Sequence, residues 1–238
     1  MKARSFVLAA ALLAASASAC SATILGFGQI GGSNTAISSN FGSYASADGN
    51  GFVVSNGATP NVSLLWDAEW DIHTSSWFAS LESQTVGGGA WDNEGNTQRI
   101  AQLDTDFHTI TFGASAGYAV VLNSFDFGHT AETSGVTAWD LILTDSSSQV
   151  VWSQSVMLDN ANTATSVLTI SPNFTGVDGE SYTLTFDRTS TTYGAANGRH
   201  GIDNLSFNEF AVVVPEPSTI ALIAGLGALV PLIRRRQR

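Results

Sequence analysis

The chain has 238 residues, a net charge of −11, 44% hydrophobic residues and a single cysteine. Six of the nine basic residues lie at the two ends, so residues 23–210 keep only Arg99, Arg188 and Arg199 against 19 of the 20 acidic residues, a net charge of 3 − 19 = −16. That sign repels phosphate backbones and excludes nucleic acid as a partner, and one cysteine excludes a disulfide framework within the chain.

In chain order, Lys2 and Arg4 precede an Ala/Leu-rich run from Phe6 to Ala15 and the small residues Ser16 to Ala22. A positive start, a short apolar stretch and a small-residue cleavage zone read as a secretory signal peptide over residues 1–22. Cleavage after Ala17-Ser18-Ala19 and cleavage just beyond Cys20 both fit. Acylation of Cys20 is the alternative, although Ala17 stands where a lipoprotein signal normally has Leu.

Residues 23–210 are long enough for one well-buried core. Gly, Ser, Thr and Asn abound, and short alternating runs recur between turn signals, so the segment is predicted to be all-β. Val62 to Ile72 reads as one strand and Thr85 to Asn96 as a long loop. Ile110 and Phe112 alternate with threonines. Over Ala119 to Phe127 the alternation sets Val121, Asn123, Phe125 and Phe127 on one face against Val120, Leu122 and Asp126. Trp139, Leu141 and Leu143 alternate with Asp140, Ile142 and Thr144. Asp145-Ser146-Ser147-Ser148 then turns the chain into Gln149 to Ser153 as a hairpin. Val167 to Ile170, Tyr182 to Phe186 and Gly201 to Phe207 complete the set. Many short alternating strands predict two antiparallel sheets packed as a β-sandwich.

Candidate chemistry is sparse. His73, His108, His129 and His200 are scattered among apolar or aromatic neighbours and read as surface or strand residues. Asp67, Glu69 and Asp71 fall at i, i+2 and i+4, so on one strand their carboxylates would share a face opposite Trp66, Ala68 and Trp70. Neighbouring members would sit about 6.6 Å apart, inside the roughly 5–9.5 Å range of glycosidase carboxyl pairs. The pattern resembles the Glu-x-Asp-x-Glu strand of a jelly-roll family of β-glucanases, and departs from it where Asp67 and Asp71 replace the outer glutamates. A solvated strand face beside buried tryptophans, or a contact to a cation or glycan, accounts for the same residues. Among the six tryptophans, Trp139 is in phase with core residues, whereas Trp77 and Trp91 flank polar, Gly-rich sequence. These two are the candidate sugar-stacking platforms.

The last strand, Gly201-Ile202-Asp203-Asn204-Leu205-Ser206-Phe207, resembles the closing strand of galactose-binding-like and carbohydrate-binding jelly-roll domains. Gly117 to Asp126 is similar to an interior strand of uncharacterised proteins with the tail described next. The jelly-roll resemblance implies a structural Ca²⁺ held by Asp203 with backbone oxygens of a first strand at Ile24 to Phe27. A plain turn-capping role for Asp203 is the alternative.

After residue 210 the sequence changes character. Pro215 and Pro217 force extended backbone around Glu216, an apolar run of about 15 residues follows to Ile233, and Arg234, Arg235, Arg236 and Arg238 end the chain. The run is short of the ~20 residues that a spanning helix needs, and the arginines hold that end on the cytoplasmic side. Pro215-Glu216-Pro217, the apolar helix and the basic cluster together resemble the PEP-CTERM sorting tail of exported bacterial proteins. That resemblance implies processing of residues 211–238 by the membrane transpeptidase exosortase, transient residence in the inner membrane, and then life at the cell surface or in the extracellular matrix beside exopolysaccharide. The sequence thus reads as a non-catalytic surface protein with glycan as the candidate ligand. A glycoside hydrolase or lyase on Asp67, Glu69 and Asp71 is one alternative, and a purely structural or adhesive envelope protein is the other.

Overall fold

A computed structural model describes residues 22–27, 35–45, 57–67, 70–74, 99–103, 105–129, 136–159, 167–192 and 200–212. Residues 20–212 form one compact unit. The described residues are all-β, without a helix.

Two antiparallel sheets face each other as a sandwich. The five-stranded sheet contains β3 (Val62–Trp66), β6 (Phe107–Ala114), β12 (Ser181–Thr192), β8 (Val136–Asp145) and β9 (Val150–Asp159), in the order β3-β6-β12-β8-β9. The eight-stranded sheet runs β10 (Val167–Ile170), β7 (Tyr118–His129), β13 (His200–Ala211), β5 (Arg99–Leu103), β4 (Trp70–Thr74), β2 (Thr35–Ala36). Beside that path, β1 (Thr23–Leu25) pairs with β13 and β11 (Phe174–Thr175) with β7.

The core lies between the layers and is largely aromatic. Trp139, Leu141 and Leu143 point inward from β8, and Ile110 and Phe112 from β6, all buried, as period-two alternation requires. Phe127 of the large sheet meets Trp139 at 5.6 Å, Phe125 meets Phe186 at 5.6 Å, and Phe207 meets Phe112 at 5.8 Å, each close to edge-on. Edge-to-face geometry sets a positive ring edge on a negative ring face and adds to the area term. The hairpin predicted after Thr144 forms as β8–β9. Ser148 takes φ 63°, and the Asp145 carboxylate accepts the Ser147 and Gln149 N–H groups.

Two sequence expectations give way. Val62 to Ile72 is two strands: β3 ends at Trp66 in the five-stranded sheet, and β4 begins at Trp70 in the other. The chain changes layer between them while both tryptophans stay in the core, 5.1 Å apart and perpendicular. In β7 the predicted phase fails in its first half. Val120 and Leu122 are buried with Phe125 and Phe127, while Val121 and Asn123 are only half-buried. The cause is a pair of opposed bulges in the β7–β13 ladder. Between Asp203↔Asp126 and Ser206↔Ser124 the extra residue is in β13, and between Ser206↔Ser124 and Phe207↔Leu122 it is in β7. Each extra residue inverts the facing of its strand. Asn204, at φ 51° in the left-handed region that Asn tolerates, marks the β13 bulge.

Candidate functional site

Three regions carry polar side chains in defined geometry. The first is the seam where the chain crosses between the sheets. Asp67 leaves β3 beside β6, and its carboxylate accepts both the Thr109 N–H and the Thr109 hydroxyl, the latter at 3.2 Å. The His108 imidazole, fully buried, sets Nδ1 3.5 Å from Asp67 Oδ1. Its other nitrogen, Nε2, accepts the Thr105 N–H at 2.9 Å, so in the neutral ring the proton sits on Nδ1, facing the carboxylate. Trp70 closes the seam, donating Nε1–H to the Thr109 carbonyl at 3.0 Å and meeting the His108 ring edge-on at 5.0 Å. Asp67 is therefore tied to its own scaffold. Asp71 belongs to β4 in the opposite sheet, so the single-faced row expected of Asp67, Glu69 and Asp71 does not form on one strand. Glu69 lies outside the described residues.

The second region is the bulge of β13. Asp203 is buried and stands directly across the ladder from Asp126. Two carboxylates at facing positions repel. Here Asp203 accepts the Asn204 N–H at 2.8 Å, while the Asn204 amide and the Thr169 hydroxyl both donate to Asp126, at 3.0 and 2.7 Å. β1 runs antiparallel to β13, with Leu25 opposite Leu205, which carries the chain leaving β1 toward Asn204 and Asp203.

The third region is the outer face of the five-stranded sheet. Thr109 and Thr111 of β6 stand beside Thr185 and Thr183 of β12, and Ile142 and Thr144 of β8 continue the two rows. The Thr111 and Thr183 hydroxyls bond to each other at 2.9 Å. These side chains are half-buried by their neighbours in the sheet, and Leu65 at one border is exposed. The two rows are hydroxyl-rich, with the Asp67 carboxylate bonded to Thr109 at one end and Asp187 opposite Asp140 in the next row.

The remaining expectations divide in the same way. Trp139 is core, with the Arg188 guanidinium 5.9 Å over its ring. His108 and His200 are strand residues as expected, yet buried rather than surface. His200 sits 4.9 Å from Trp139 with Nε2 3.2 Å from the Thr137 hydroxyl. Trp77, Trp91, Pro215, Glu216, Pro217, Arg234, Arg235, Arg236 and Arg238 lie outside the described residues. Sequence reasoning missed the Asp106–Arg188 ion pair and the Asn61–Glu209 contact, in which the Glu209 carboxylate receives both the N–H and the side-chain amide of Asn61 at 2.8 and 3.0 Å. No local signal links residues 148 positions apart. Burial pushes the Arg188 pKa down and the Tyr182 pKa up.

Fold and polar clusters together define an antiparallel β-sandwich protein. No known protein family and no curated protein matches the chain. Among solved structures it is similar to the CBM22-1 xylan-binding domain of Paenibacillus barcinonensis Xyn10C, at 7% identity over 63% of this chain and 87% of that one, with a TM-score of 0.34. The family 11 carbohydrate-binding module of the cellulosomal cellulase Lic26A-Cel5E of Clostridium thermocellum overlaps 67% of this chain and 93% of its own, at 11% identity and a TM-score of 0.25. The arabinose-bound MgGH51 α-L-arabinofuranosidase aligns over 80% of this chain and 27% of its own, at 13% identity and a TM-score of 0.33.

Proposed function

We propose that this chain is an exported, surface-sorted protein whose jelly-roll sandwich is a non-catalytic module that holds extracellular glycan. The observation that carries the delivery half is the match between sequence and unit. One compact body spans residues 20–212, and the segments outside it are those that read as a secretory signal and as an exosortase-type sorting tail. In this reading Pro215, Glu216 and Pro217 are the recognition motif, and Arg234, Arg235, Arg236 and Arg238 orient the tail in the inner membrane before processing. The glycan half is supported by the hydroxyl-rich rows on the five-stranded sheet, and Trp77 and Trp91 are its proposed stacking platforms. One stacked sugar contributes about 0.5–1.5 kcal/mol beyond its area term, so useful affinity comes from many copies on one surface.

Against the hydrolase alternative, the Asp67 carboxylate is engaged by Thr109 and stands 3.5 Å from His108 Nδ1. A structural Ca²⁺ at Asp203 remains part of the proposal. Two facing carboxylates and nearby carbonyl oxygens are hard donors of the type this ion takes, and a cation would relieve the repulsion between Asp203 and Asp126.

Replacing Pro215-Glu216-Pro217 with alanines is expected to leave the chain uncleaved in the inner membrane. Replacing Trp77 and Trp91 with alanine is expected to abolish retention on the producer's own exopolysaccharide with a nearly unchanged melting temperature. Unchanged mature mass and surface exposure in the first variant would overturn sorting, and a large stability loss in the second would overturn the glycan assignment.

A further inference from the structure

The two edges of the five-stranded sheet are treated very differently. At β3 the free edge is covered by the turn at 39–44. Tyr44 N–H donates to the Val62 carbonyl at 2.7 Å, Trp66 N–H donates to the Ser39 carbonyl at 2.9 Å, and the Ser43 hydroxyl both receives the Leu64 N–H and donates to the Leu64 carbonyl. At β9 no described residue bonds to the outer edge. β9 is ten residues long, and Val150 and Met157 are 61% and 70% exposed. From Val150 to Leu158 it carries no charged side chain, proline or glycine, so the usual devices that blunt an edge are missing along most of its length. One bulge, where Trp152 faces Leu143 and Val150 faces Thr144, disturbs only the end beside the hairpin.

We propose that β9 pairs antiparallel with β9 of a second copy of this chain, about a two-fold axis through Gln154, joining two five-stranded sheets into one. An isologous contact sets each residue opposite its symmetry mate, and the sequence of β9 is self-complementary about that centre. Trp152 faces Val156 of the partner copy, Ser153 faces Ser155, and Gln154 faces Gln154, while Val150, beyond the bulge, lies outside this register. Apolar meets apolar and serine meets serine, with the Ser155 hydroxyl held by Asp140 of its own chain. Sliding the register by two residues, the smallest slip that keeps the faces, moves the centre by one and sets Trp152 against Gln154 in one direction and Asp159 against Val151 in the other. Charge points to the same occupant. A body of net charge −16 repels its own copies over most of its surface, whereas β9 itself carries no acidic side chain before Asp159, the Asp140 carboxylate of β8 being engaged by the Ser155 hydroxyl. A charged partner would find no complementary group on this strand, whereas a second copy finds its own pattern.

The axis makes the test specific to one residue. Gln154 is exposed at the margin of the face that carries Leu141, so an unchanged melting temperature in each variant separates an effect on the edge from one on the core. The full chain is expected to sediment as a concentration-dependent dimer. Gln154→Glu and Gln154→Lys each place like charges face to face across the axis and are expected to weaken association about tenfold, while an equimolar mixture of the two variants restores it. In a Cys20→Ser background, Gln154→Cys is expected to form a disulfide-linked dimer on mild oxidation. Ser153→Cys is not, because residues a diagonal apart lie about 7–8 Å from each other, beyond disulfide reach. A monomer at all concentrations, a dimer indifferent to both charges, or equal cross-linking at 153 and 154 would overturn the proposal.

Discussion

Replacing Asp67 with alanine tests whether this carboxylate is structural. In the folded protein it receives the Thr109 N–H and the Thr109 hydroxyl and stands 3.5 Å from His108 Nδ1, with its side chain 28% exposed. A hydrogen bond to an ionised acceptor contributes about 1.5–3 kcal/mol, and a neutral one about 1 kcal/mol. Partial exposure lets water replace some of this, which sets the expected loss for Asp67→Ala at about 2–4 kcal/mol. For a unit of this size that is a drop in melting temperature on the order of 10 °C. Asp67→Asn keeps an acceptor for Thr109 but turns an amide toward the His108 N–H, so it should recover about half of the loss. Guanidinium unfolding of the parent and both variants, read by tryptophan fluorescence, measures the series, since Trp66 and Trp70 flank the seam. An alanine variant within about 0.5 kcal/mol of the parent, or an asparagine variant no better than alanine, would refute the scaffold role.

Three further outcomes are expected. The Tyr182 hydroxyl, buried and bonded to Val177 N–H and Glu180, has a pKa raised chiefly by desolvation. The neutral phenol is therefore favoured in the folded state, so its contribution to stability is complete below the ordinary tyrosine value of about 10 and is lost as pH rises above it. Tyr182→Phe should flatten that alkaline limb in a series of denaturant midpoints against pH. Gly201→Ala should destabilise by about 1–3 kcal/mol in the same assay, because the new methyl would lie 2.7 Å from the Ala101 carbonyl oxygen. Gly117→Ala, which meets nothing within 4 Å, should lose only about 1 kcal/mol through its positive φ. Chelator should lower the melting temperature of the parent and leave Asp203→Ala unmoved, and no chelator effect on the parent would remove the proposed Ca²⁺.

Much of the fold was legible in β8 and β6, where Trp139, Leu141, Leu143, Ile110 and Phe112 point inward as their spacing demands. Alternation is a property of the pleat and needs only near neighbours in sequence. The Asp145 turn was legible for the same reason, since its carboxylate bonds N–H groups two and four residues on. The candidate carboxylate row was not. Trp66 and Trp70 share a parity whether the strand runs on or crosses to the facing sheet, so the pattern is identical in both cases while Asp67 and Asp71 part company.

By itself the sequence determined what short-range geometry controls: the all-β class, the inward residues of regular strands, and the turn at Asp145. Tertiary structure alone decided which sheet each strand joined, where opposed bulges inverted β7, and which carboxylates became neighbours. Asp203 meets Asp126 across 77 positions of chain because β13 returns to pair with β7. Such pairings are selected by burying both sheet faces against each other, a balance of long-range contacts that no local pattern encodes.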